Sequence, residues 1–213
     1  VNGQLGVGDK MLGIEIADVT VCTATIPTRV ELLQRAIQSV TNQTLKVKEH
    51  SIKIDLDKLG QPAVLDQIIE QAKTKYVAIL DDDDELLPNH IELLYKKIIE
   101  TNADLVFPHF KYSNLSDAGH LEMFRGLPWD NNNPHQVPVT WIAKREAILD
   151  VGGFSGDFDV LSYEVDNQGN RVGQDFNLIK KLAKANKHIT NISEITWIYH
   201  VGHPSTLGMP IRW

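Results

Sequence analysis

Residues Asp81, Asp82, Asp83, Asp84 and Glu85 follow directly on the apolar run Tyr76-Val77-Ala78-Ile79-Leu80. Five mutually repelling carboxylates at the tip of a buried strand are made favourable by a divalent cation, because hard ions such as Mg²⁺ and Mn²⁺ prefer oxygen ligands. Strand ends are also where open α/β sheets bind their ligands. An acidic, solvated turn ahead of the helix near Pro88 is the plain alternative. Asp55 and Asp57 close a second short apolar run, Ser51 to Leu56, and offer acceptors to a nucleobase or ribose; turn formation is the competing role. His200 and His203 lie three apart beside Gly202 and Pro204, and a neutral imidazole suits an Mn²⁺-like ion. Asp175 opens an amphipathic segment after a Gly-containing stretch, a position that serves either a helix cap or a general base.

The elements that position these groups follow from periodicity. Val19 to Thr25 is a β-branched run stopped by Pro27, and Thr28 is placed to cap a helix over Arg29 to Ser39. Strands are expected at Ser51–Leu56, Tyr76–Leu80, Asp104–Phe110, Val137–Lys144 and Ile192–His200. Helical spacing marks the segment opened by Gly60-Gln61-Pro62, then Pro88–Thr101, Arg145–Val151 and Gln174–Ala185. Strand and helix alternate through the first half, so the expected fold class is a Rossmann-like, three-layer α/β/α sandwich with a mostly parallel central sheet. Tyr112–Pro138 and Phe154–Gly173 have no sustained period, and such long irregular stretches inside a domain tend to be functional.

Composition narrows the classes. A chain of 213 residues fits a single domain, expected over 19–213 behind a loosely ordered Gly-rich arm at 1–18. A formal net charge of −7 argues against a general nucleic-acid surface. The one cysteine, Cys22, falls in a buried strand and is expected in the core. No apolar run approaches a membrane span and no signal-peptide pattern opens the chain, which sets a cytoplasmic location as the expectation.

Four segments, in this order, resemble the GT-A fold glycosyltransferases, and family 2 most closely. They are Val19 to Arg29, Tyr76 to Pro88 with its DxD motif Asp81-Asp82-Asp83, Trp141 to Phe154 ending in Gly-Gly-Phe, and Gly173 to Leu178. The resemblance divides the domain into a nucleotide-sugar-binding half (19–110) and an acceptor-binding, catalytic half (111–213). It implies that Asp83 binds a metal, Mn²⁺ or Mg²⁺, bridging the donor phosphates. Asp81 would contact metal or ribose, and Asp82 belongs with the donor contacts. Thr25, Pro27, Arg29 and Asp55 would line the nucleotide pocket, Asp175 would be the catalytic base, and His200 or His203 would complete the metal site.

The implied activity is metal-dependent transfer from a nucleoside-diphosphate sugar, a UDP-sugar, to an acceptor hydroxyl with inversion. Trp129, Trp141 and Gln174 are candidate acceptor contacts. Two positions depart from the family pattern. Gln174 stands where Glu is usual, and Leu65-Asp66 stands where Arg-Asn is common. A catalytically impaired nucleotide-sugar-binding protein of the same fold is therefore the alternative. A sugar-nucleotide-forming nucleotidyltransferase is disfavoured because Thr25 to Arg29 has no glycine, and a simple calcium loop would need neither Gly-Gly-Phe nor the Asp175 segment.

Overall fold

A computed structural model describes residues 16–113, 129–135, 137–155 and 174–200. Strand β1 (Ile16–Thr25) leads through a 3₁₀ turn (Pro27–Arg29) into α1 (Val30–Thr41), followed by β2 (Lys46–Ile54), α2 (Gln61–Gln71) and β3 (Tyr76–Ile79). Then come β4 (Glu85–Leu86), α3 (His90–Thr101), β5 (Leu105–Tyr112), β6 (Ile142–Lys144), α4 (Arg145–Asp150), α5 (Gln174–Lys184) and β7 (Ile189–Tyr199). The seven strands form one sheet in the order β2-β1-β3-β6-β5-β7-β4.

The expectation of a mostly parallel sheet is corrected. Pairs β1–β2, β1–β3 and β5–β7 are parallel, whereas β3–β6, β5–β6 and β4–β7 are antiparallel, so the sheet is mixed. The reason is β6, which comes late in the chain yet inserts between β3 and β5 and runs against both. Only Ile142–Lys144 of the expected Val137–Lys144 strand pairs, while β2 begins earlier than expected, at Lys46.

The layers follow from period-2 alternation. On β1, Ala17, Val19 and Val21 face one layer with Ala36 and Val40 of α1 and Ile91, Leu94 and Ile98 of α3. Cys22 and Ala24 face the other, with Leu65 and Ile69 of α2, Ile148 of α4 and Leu178 and Leu182 of α5. Strand β3 splits the same way, Tyr76 and Ala78 to the first layer and Val77 and Ile79 to the second. Cys22 is thus a core residue, as expected, and burial pushes its thiol well above the ordinary range.

Trp141 is corrected as a sugar-stacking candidate. It is only 1% exposed and stacks on Phe154 with ring centroids 6.1 Å apart, which leaves no face for a ligand. Thr28 does not cap α1, because the intervening 3₁₀ turn makes Arg29 the N-cap residue, without a side-chain hydrogen bond. No helix among the described residues is long and apolar enough to cross a membrane.

Candidate active site

The acidic tip forms where β3 leaves the sheet. Leu80 still donates its backbone N–H to Cys22 O (3.1 Å), and the chain then turns, with Asp84 N–H donating to Asp81 O at 3.2 Å. The two-residue β4 pairs with β7, Glu85 opposite Ile198 and Leu86 opposite Trp197. This hairpin brings the end of β7 to the tip, where His200 N–H donates to Asp84 Oδ1 at 3.0 Å.

One oxygen each from Asp81, Asp83 and Asp84 lies within 4.8 Å of the others. Asp84 is fully buried, and its Oδ2 has no hydrogen-bond partner. Burial, then the neighbouring carboxylates Asp83, Asp175 and Asp82, push Asp81 well above the usual carboxylate range. Burial and the charges of Asp81 and Asp83 do the same to Asp84, against the opposing His200 N–H. Converging hard oxygens, an unpartnered buried carboxylate oxygen and an excess of negative charge fit a hard divalent cation.

Asp82 and Asp83 are braced by cations and a hydroxyl. Thr25 Oγ1 donates to Asp82 Oδ2 at 2.6 Å, and Arg29 Nη2 lies 2.9 Å from Asp82 Oδ1 while also donating to Asp83 Oδ2. Arg35 Nη2 donates to the Asp83 carbonyl. Arg35 was not among the expected residues; it lies in the second turn of α1. Pro27 is exposed in the 3₁₀ turn that aims Arg29 at the tip.

Asp55 takes the turn-forming role weighed for it in the sequence. Its buried carboxylate accepts Leu59 N–H at 2.9 Å and Gly60 N–H at 2.7 Å, so both oxygens hold the β2–α2 loop. Gly60 at φ +88° supplies the turn that starts α2 at Gln61.

His200 reaches the tip through its backbone. Its imidazole Nε2 sits 3.3 Å from Glu85 Oε2, outside the carboxylate triad, and burial together with Arg35 lowers its pKa. His203 lies outside the described residues, as do parts of both irregular segments. Trp129 is half-buried, donating Nε1–H to Asn131 Oδ1 at 2.6 Å and packing edge-on against Phe107.

Asp175 sits in the first turn of α5, and burial raises its pKa to about 6 against its own backbone N–H. Its charge is close enough to contribute to the elevation at Asp81. Gln174 beside it donates Nε2–H to Gln61 Oε1 at 2.8 Å, and Gln61 in turn donates to Asp81 Oδ1 at 2.6 Å. The other departure, Asp66, clamps the Gly-Gly-Phe turn. Its Oδ1 accepts Phe154 N–H at 2.7 Å, and its Oδ2 accepts Ser155 N–H at 2.9 Å and the Ser155 hydroxyl. A Cβ on Gly153, at φ +66°, would lie 2.3 Å from Asp66 Oδ1, so a side chain there is excluded.

The sheet, its flanking layers and the strand-tip carboxylates define a protein of the GT-A fold. The glycosyl transferase family 2 model matches residues 50–149, the span from β2 to α4. Over that span, a little under half of the chain, the sequence is similar to glycosyl transferase family 2.

Solved structures agree in fold. TarS 1-349 of S. aureus in complex with UDP-GlcNAc superposes with a TM-score of 0.67 at 12% identity, covering 92% of this chain and 61% of that one. The mannosyltransferase PcManGT of Pyrobaculum calidifontis, in complex with GDP-Man and Mn²⁺, gives 0.63 at 13% identity, covering 91% and 59%. Longer S. aureus TarS gives 0.63 at 14% identity, with 86% of this chain but only 36% of that one covered. The chain thus spans about 60% or less of the length of these structures. None of the curated proteins matches it.

Proposed function

We propose that the protein transfers a sugar from a nucleoside-diphosphate sugar, a UDP-sugar, to an acceptor hydroxyl, with inversion at the anomeric carbon. The observation that carries this reading is the unpartnered buried Asp84 oxygen within the convergent Asp81–Asp83–Asp84 group, with Asp175 electrostatically in reach. Those three carboxylates would hold Mn²⁺ or Mg²⁺. A bound ion of this kind supplies Lewis-acid stabilisation of the charge developing on a leaving diphosphate.

The protein's own groups do the rest. Arg29 and Arg35 add positive charge beside the tip, where donor phosphates would lie. Thr25 and Asp82 fix Arg29, and Pro27 sets the turn that presents it. As the acceptor oxygen bonds to the anomeric carbon, the bond from that carbon to the diphosphate oxygen breaks. The acceptor proton passes to the Asp175 carboxylate, and nucleoside diphosphate leaves. With a pKa of about 6, Asp175 is ionised at neutral pH yet more basic than an ordinary Asp, which suits a general base. Trp129 and Gln174 are assigned to the acceptor side.

The test is a panel of sugar nucleotides assayed for Mn²⁺-dependent release of nucleoside diphosphate in the presence of candidate glycan acceptors. Release from a UDP-sugar supports the reading. Metal-dependent nucleotide binding without release from any donor would assign the chain to the non-catalytic alternative.

A further inference from the structure

We propose that Gln61 and Gln174 form an amide relay that positions the first turn of α5, and with it Asp175, according to the state of Asp81. This rests on the transferase reading above and deepens it by naming two positioning residues. The chain of contacts is continuous and directional. Gln174 Nε2–H donates to Gln61 Oε1 (2.8 Å), and Gln61 Nε2–H donates to Asp81 Oδ1 (2.6 Å).

Each link constrains the next. Asp81, a carboxylate crowded by three others, takes a donor, so Gln61 turns its NH₂ toward the tip and its carbonyl toward α5. Residue 174 must then donate. Glutamine meets that requirement, whereas a carboxylate would set oxygen against oxygen unless Gln61 flipped and turned its carbonyl onto Asp81. Gln174 is in this sense matched to Gln61.

The placement of Gln61 is itself well determined. It is the first residue of α2, held by Gly60 at φ +88°, by Pro62 in the first helical turn, and by the Asp55 carboxylate that gathers the Leu59 and Gly60 N–H groups. On the other side, α5 is fully buried through Leu178, Ile179, Leu182 and Ala183, beyond its first turn, with Phe176 of that turn packed partly buried against the same core. The relay links that first turn to the acidic tip by side-chain hydrogen bonds. A donor or ion that engages Asp81 alters the partner of Gln61, and the change reaches Gln174 and Asp175 through two hydrogen bonds.

The test is amide hydrogen exchange over residues 174–180, with and without Mn²⁺ and UDP, in wild type, Gln61→Ala and Gln174→Glu. Loss of the relay is expected to speed ligand-free exchange of this turn roughly fivefold, the scale of one net hydrogen bond. Mn²⁺ and UDP are expected to change that exchange in wild type and leave it within about twofold in both variants. In turnover, Gln174→Glu should hold the donor KM within about twofold while kcat falls about tenfold, the split expected when a positioning contact is lost.

Equal ligand-free exchange in wild type and Gln61→Ala overturns the relay. So does a ligand response retained in both variants, or a loss confined to KM. Failure of wild type to bind any nucleoside diphosphate with Mn²⁺ would instead sink the transferase reading, and the ligand-free comparison would still decide whether the tether exists.

Discussion

Two sets of carboxylates in this molecule meet opposite fates. Asp55 and Asp66 are surrounded by backbone N–H groups, Leu59 and Gly60 for the first, Phe154 and Ser155 for the second. Asp81 and Asp84 are crowded by one another and by Asp83, and Asp84 keeps one oxygen without a partner. Satisfied carboxylates fasten loops, while carboxylates short of donors hold energy that a cation would release. The difference marks which carboxylates the fold itself satisfies and which it leaves short of donors.

That contrast can be broken most severely at Asp175, the base proposed to work with the unsatisfied tip. Asp175→Asn is expected to lower transfer by ~10²–10⁴-fold, as for loss of a general base, while metal-dependent nucleotide binding persists. Equal loss of binding would merge the two roles. Because folding raises this pKa to about 6, the folded state favours the protonated carboxyl. Its stabilising effect is complete below the unfolded value and lost as pH rises through about 6. Asp175→Asn should therefore be more stable than wild type at pH 8, by about 3 kcal/mol, and no more stable at pH 3. Wild-type transfer should in turn decline as pH falls through about 6, read from a kcat–pH profile.

The satisfied set should respond in the opposite direction. Asp66→Ala strands two backbone N–H groups and is expected to cost about 2–4 kcal/mol in urea unfolding. Asp66→Asn should also destabilise, whereas Asp84→Asn should raise the ion-free melting temperature at neutral pH by removing a buried like charge. The Asp84→Asn gain builds as pH rises from the unfolded carboxylate range through the raised folded pKa, and it disappears in acid. The same sign for both Asn variants would erase the distinction. The smallest expected effect is at the Gly-Gly pair. Gly152→Ala meets nothing within 4 Å and pays only left-handed strain, roughly 1 kcal/mol. Gly153→Ala must cost more, because its Cβ collides with Asp66. Equal melting temperatures for the two would remove the clamp from the account.

Much of this was legible in the chain, and the remainder was not local. Tyr76 to Leu80 ending in carboxylates placed the tip, and the periodicities of α1 through α5 placed the layers, because alternation and 3.6-residue spacing are short-range signals. The insertion of β6 between β3 and β5 was hidden, since strand order depends on packing across the whole sheet. The two-residue β4 was too short for any period, though it is what brings His200 to Asp84. A strand-ending Asp such as Asp55 serves a loop or a ligand equally well in sequence, and only the fold shows the Leu59 and Gly60 N–H groups on it. Trp141 reads as either sugar platform or core, and only its 1% exposure decides. Asp66 and Gln174 first register as departures from a pattern; their partners, Ser155 and Gln61, lie 89 and 113 residues away.

The most direct measurement is anomalous diffraction at the manganese edge from crystals soaked with Mn²⁺ and UDP. The account expects one strong peak bounded by the carboxylates of Asp81, Asp83 and Asp84, with the UDP diphosphate on its open side. A saturated nucleotide site with no peak at those residues, or a peak held elsewhere, would contradict it.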